Sequence, residues 1–208
     1  LHVRSRRQRQ MCIRDRVNAF GVITDEATHR RFYVGHSSAL AKAAILDPEL
    51  TLGLPPKATA ATGMDALVHA TESYLSIRPN PYSDAIALGV IKMVSENLET
   101  AVSNGADIEA RSQMLLASHI AGVGFSHTGL GLVHGIGHAL GGGFNIPHGN
   151  ALCIVLEEVL RYNLPVRTER MADIAFALGV GVTSMDSAEN AELAIAAIAG
   201  MVDSVGLR

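Results

Sequence analysis

The chain is 208 residues long with 48% hydrophobic residues, enough to build a substantial core, and this excludes a disordered chain. Aromatic residues make up 4%, tryptophan is absent and alanine and glycine are common, a balance that favours closely packed helices over aromatic-rich sheets. The formal net charge of −3 is unevenly placed: residues 1–16 hold six arginines against one aspartate, and the remainder carries 11 basic and 19 acidic residues.

The basic start, "LHVRSRRQRQMCIRDR", lacks the apolar segment of a signal peptide and has no convincing amphipathic period. Its "RQRQMCIRDR" resembles translated sequencing-adapter sequence, so residues 1–16 are read as a non-native artefact rather than a nucleic-acid arm, and no nucleic-acid partner is expected. With Cys12 set aside, Cys153 stands alone, which leaves no disulfide framework and makes a reducing cytoplasm the default. The longest strongly apolar run, "LAIAAIAGMV" at 193–202, is too short to cross a bilayer, so no membrane partner is expected.

Residues 17–54 read as strand-like. "VNAFGVITD", "RFYVG" and "KAAILD" are short apolar or β-branched runs between charged turns. From Pro55 the pattern becomes helical, first in "TGMDALVHATESYLS" and then in "PYSDAIALGVIKMVSENLETAVSNG", where Ile86, Val90, Val94 and Leu98 recur every four residues and Asn104-Gly105 is a plausible stop. Further helices are expected over "IEARSQMLLASHIAGVGF", "GLGLVHGIGHALG", "GNALCIVLEEVLRYN", "TERMADIAFALG" and "AENAELAIAAIAGMVDSVG". The expected architecture is mainly α: a short β remnant over 17–54, a boundary near 50–55, and a helical domain over 55–208. Strands of an incomplete sheet suggest truncation.

Chemistry concentrates in two helical segments. Asp65 and His69 lie four apart in "GMDALVHATE", on one helix face and one turn from each other. His134 and His138 repeat that spacing, and His148 follows Pro147, where a new helix could begin. One carboxylate with several imidazoles suits Fe(II) or Zn(II) better than Ca(II) or a thiolate-seeking ion. A lone histidine is more often a surface or core residue than a ligand, and His2, His29, His36, His119 and His127 are read that way. Gly135, Gly137, Gly141, Gly142 and Gly143 crowd the same segment, although a helical glycine costs roughly 1 kcal/mol relative to alanine. Either a neighbouring helix packs very closely there or a flat ligand approaches the backbone, and the adjacent histidines favour the ligand.

Together, "LDPELTLGLPPKATAATGMDALVHATESYLS" and "AGVGFSHTGLGLVHGIGHALGGGFNIPHGNALCIVL" resemble the iron-containing, or group III, alcohol dehydrogenases, whose fold is dehydroquinate synthase-like. The resemblance runs from about Val17 to the end. It implies a helical metal-binding domain beside a dinucleotide-binding α/β domain, with Asp65, His69, His134 and His148 as ligands of Fe(II), alternatively Zn(II). It implies that His138 lies near the nicotinamide of NAD or NADP and relays a proton, and that Arg31 and Leu50 contact that cofactor. The activity implied is interconversion of a small primary alcohol and its aldehyde, by a protein that is a homo-oligomer when complete. In the family the metal acts as a Lewis acid and hydride passes to or from the nicotinamide.

Two features of the family are missing: the glycine-rich loop that cradles the pyrophosphate and a Thr-Gly-Ser-Glu-like segment. The C-terminal end also falls short of the family's last helices. The chain is therefore expected to be a fragment inactive alone. Related chemistries on the same architecture remain open, namely a glycerol dehydrogenase, a maleylacetate reductase or a hydroxyacid-oxoacid transhydrogenase. From a different class, so does a non-catalytic metal-binding or dimerisation module.

Overall fold

The computed structural model describes residues 20–24, 31–36 and 41–207. Residues 1–16, with Cys12, and His29 fall outside them. Two strands, β1 (Phe20–Thr24) and β2 (Arg31–Gly35), pair antiparallel with Phe20 opposite Gly35 and Thr24 opposite Arg31. "KAAILD" forms no strand. Its backbone runs without secondary structure and its side chains are exposed, Ile45 at 92%, because a β-prone run without a neighbouring strand has no ladder to join. A 3-10 turn over Pro48–Thr51 follows, capped by the Asp47 carboxylate, which accepts the Glu49 N–H.

Among the described residues six α-helices make the body, and the chain is mainly α. The first, α1 (Pro56–Leu75), has Pro55 as N-cap and Pro56 at its first position, which suits a helix start, and it is buried on all sides from Thr59 onward apart from Thr62. A helix buried all round is a core helix, so the ionisable groups it carries must be paired or bind something. α2 (Pro81–Ser103) is capped by Asn80 and buries Val90, Val94 and Leu98 of the expected stripe, with Ile86 half-buried. α3 (Ile108–Thr128), capped by Asp107, packs with α2 and α1.

α4 (Leu132–Phe144) ends at Asn145 in the left-handed conformation, and α5 (His148–Ala177) starts three residues later. The two helices expected over 149–163 and 168–179 form one span with a break at Arg167 (φ −138°, ψ 21°), two residues after Pro165, which interrupts the hydrogen-bond ladder. α6 (Ser187–Ser204) opens with a capping box between Asp186 and Glu189 and lies along α5. α1 is flanked by α2, α3 and α5, and α4 rests on α5. Among the described residues, no helix is long and apolar enough to cross a membrane.

Candidate metal centre

Asp65 and His69 sit one turn apart on α1, both buried. Two close approaches at glycines, one against a side chain and one against a backbone, bring the other helices to them. A β-carbon on Gly137 would come within 2.6 Å of Leu152 Cδ2, so α4 crosses α5 at glycine distance and carries His134 inward. Gly149 lies directly on the α1 backbone at Ala61, one turn before Asp65, and this delivers His148, the first residue of α5, to the same carboxylate. Gly137 thus answers to helix packing. Gly135 and Gly143 face open space.

The outcome is a single carboxylate oxygen ringed by imidazoles. Asp65 Oδ1 lies 3.4 Å from His69 Nε2, 3.3 Å from His134 Nε2 and 3.4 Å from His148 Nε2. Asp65, His69 and His134 offer donor atoms that all fall within 4.8 Å of one another; His148 joins through its approach to Asp65. The His69 ring stacks on His134 at 4.6 Å between centroids and on Phe125 of α3 at 4.5 Å, which holds its plane fixed. His138 is half-buried, with its ring 5.0 Å from that of His148 and 5.8 Å from that of His134.

Three observations fit a divalent cation here. Metal–ligand distances of about 2.0–2.1 Å in a tetrahedral site give edges between ligand atoms of roughly 3.3–3.4 Å, the spacing found around Asp65. Among the described residues neither buried ring nitrogen of His148 makes a hydrogen bond, Nε2 only approaching Asp65 Oδ1 at 3.4 Å, an arrangement that costs free energy unless something occupies the space. The donor set, one anionic oxygen with imidazole nitrogens, suits Fe(II) or Zn(II). The electrostatics agree. Burial pushes the His134 pKa down, but hydrogen bonds to Asp65 and Glu72, and their charges, outweigh it and raise the value to about 9. What attracts a proton to this spot attracts a cation.

A model of the C-terminal part of the Fe-containing alcohol dehydrogenase family matches residues 59–208, which include every one of these side chains. The chain belongs to that family. It is 41% identical over 186 residues to a 1,3-propanediol dehydrogenase of Klebsiella pneumoniae, covering 89% of this chain and 48% of the relative. It is 43% identical over 180 residues to an NAD-dependent methanol dehydrogenase of Bacillus methanolicus, covering 86% and 47%. A crystal structure of a 1,3-propanediol oxidoreductase superposes with a TM-score of 0.88 at 40% identity, over 92% of this chain and 50% of that one. The chain therefore spans about half the length of the relatives it matches.

Within this family's helical part, the chain carries one buried group at the centre of the cluster that sequence reasoning missed. Glu72, on α1 one turn beyond His69, accepts the Val133 N–H at 2.7 Å through Oε1 and contacts His134 Nδ1 at 2.7 Å through Oε2. A glutamate in a helical pattern reads as solvated. The available signal was its spacing, three after His69 and seven after Asp65, which puts all three on one face. Of the expected cofactor contacts, Leu50 is 84% exposed on the 3-10 turn, and Arg31 lies in β2 with its side chain outside the described residues.

Proposed function

We propose that this chain provides the metal-binding helical part of an oxidoreductase that interconverts a small primary alcohol and its aldehyde with NAD or NADP. The observation that carries the reading is the convergence of three imidazole Nε2 atoms on Asp65 Oδ1. Asp65, His69, His134 and His148 would hold Fe(II), with Zn(II) as the alternative. A divalent ion there would act as a Lewis acid on the substrate oxygen, and the nicotinamide would take or give the hydride.

The chain's own residues do the rest. Asp65 supplies the negative charge that offsets the cation, and the stacked His69 and Phe125 rings keep the donor atoms from turning away. His138, half-buried with its ring 5.0 Å from that of His148, is the proposed group that passes on the proton the hydroxyl loses. Among the described residues a β-carbon on Gly135, one turn before His138, would meet nothing within 4 Å, which leaves room there for a flat ring, and Arg31 and Leu50 are proposed to touch the cofactor. The methanol and 1,3-propanediol in the names of the relatives are small primary alcohols, which supports that substrate class. NAD in one of those names favours NAD over NADP. The buried free thiol of Cys153 supports a cytoplasmic setting, and a homo-oligomer is proposed for the working protein.

Metal analysis of the chain purified with Fe(II) or Zn(II) tests the reading. One ion per chain is expected, and its loss on Asp65→Ala combined with His148→Ala. Full metal retention in that double variant would sink the proposal, and a panel of short aldehydes with NADH and NADPH, assayed on protein containing this chain, fixes the cofactor choice.

A further inference from the structure

We infer that Glu72 is a positioning residue of the metal centre, fixing at once the tautomer of His134 and the place of the helix that carries it. The inference rests on the reading of Asp65, His69, His134 and His148 as metal ligands. Glu72 is 7% exposed, and its two oxygens have separate tasks. Oε2 lies 2.7 Å from His134 Nδ1. A carboxylate only accepts, so Nδ1 donates to it, and Nε2, which in the metal-free chain hydrogen-bonds Asp65 Oδ1 at 3.3 Å, is the nitrogen that a cation held with Asp65 would take. Oε1 accepts the Val133 N–H at 2.7 Å and, at 3.4 Å, the His134 N–H.

Those N–H groups belong to the first turn of α4, whose N-cap is Gly131 and provides no side chain to satisfy them. Glu72 replaces that cap from another helix. Its carboxylate also sits at the positive end of α4, where negative charge is favoured. Gly131 is part of the fit, since a β-carbon there would lie 3.0 Å from Glu72 Oε1 and 3.3 Å from its Cδ. One side chain on α1 thereby ties the ring and the backbone of His134 to the helix that carries Asp65 and His69.

The arithmetic of acceptors makes the inference testable. Glutamine has the shape of glutamate but only one acceptor oxygen. Whichever way its amide turns in Glu72→Gln, either the Val133 N–H or the His134 Nδ1–H faces an NH2 group. A purely space-filling role tolerates that exchange; a tautomer-fixing role does not.

The experiment titrates the metal-free wild-type chain and Glu72→Gln with Co(II), following the visible d–d bands, with thermal melts of both metal-free proteins alongside. The variant is expected to bind Co(II) about 10–100-fold more weakly, with altered bands, by more than any change in its melting temperature explains. Wild-type affinity and bands in Glu72→Gln would overturn the inference while leaving the metal reading intact. A wild-type chain that takes up no Co(II) overturns the metal reading and the inference with it. Should Glu72→Gln fail to fold, Gly131→Ala displaces the carboxylate by a few tenths of an ångström without changing any charge. It is expected to weaken Co(II) binding several-fold, and unchanged binding there would equally refute the role.

Discussion

Gly149 rests on the main chain of Ala61: a β-carbon would come within 2.7 Å of the Ala61 carbonyl carbon and closer still to its oxygen. These are backbone atoms of a fully packed core helix, so neither partner can turn aside. Gly149→Ala must push the start of α5 off α1, and His148, the preceding residue, moves with it. Overpacking of this kind costs about 1–3 kcal/mol. Urea unfolding of the variant should show that loss, and metal titration should show weaker binding in the same protein. Stability lost with metal affinity retained would mean that His148 is not held by this contact.

Ligand binding to the folded state alone adds stability by mass action. At a free metal concentration 100 times Kd, the gain is about 2.7 kcal/mol. For a chain of this size that corresponds to a rise in Tm of roughly 5–10 °C. Addition of Zn(II) to the metal-free protein should produce it, and a chelator should reverse it. In Asp65→Asn the anionic donor is gone while the shape is kept, and the metal-dependent increment should disappear. A variant that still gains the full increment would place the ion elsewhere.

Much of this centre was legible as spacing. Asp65 with His69, and His134 with His138, show the one-turn interval directly, and the α2 stripe of Val90, Val94 and Leu98 lies inside as its period requires. What the spacing could not express is which faces meet. Gly135 and Gly137 look alike in the sequence, yet one faces open space and the other is pressed against Leu152, a difference set by the crossing of α4 over α5. Glu72 escaped for the same reason, because its burial depends on the first turn of α4 meeting α1. The "KAAILD" run failed differently: its apolar residues promise a strand, but a strand exists only through its partner.

Cys153 lies on α5, 7% exposed. Burial, with a smaller contribution from the negative charge of Asp65, pushes its pKa up to about 12. A raised thiol pKa leaves the neutral form in place at every pH below that value, and the neutral thiol is not the nucleophile. The Cys153 peptide should therefore resist iodoacetamide in the folded chain from pH 7 to 9 and react readily in urea, as read by mass spectrometry. Fast alkylation of the native protein at pH 7 would contradict the burial.

Beyond its break at Arg167, α5 is fastened to α1 and α2 through Arg170. Its Nε donates to the Tyr74 carbonyl at 2.6 Å, its Nη2 bonds Asp84 at 2.5 Å, and its guanidinium lies 4.0 Å from the centre of the Tyr74 ring. The Tyr74 hydroxyl in turn donates to Asp173 at 2.6 Å, one turn along α5. Burial and that carboxylate both raise the phenol pKa, so the hydroxyl keeps its proton and the link holds across the physiological range. Arg170→Met keeps most of the aliphatic volume but removes the donors and the cation over the ring. The side chain is a quarter exposed, so the loss belongs at the lower end for charged hydrogen bonds, about 2 kcal/mol in urea unfolding. Arg170, Asp84 and Asp173 are not among the proposed ligands, and Co(II) binding should stay at the wild-type value. A joint loss of stability and metal affinity would show that the Tyr74 end of α1 sets the geometry around Asp65.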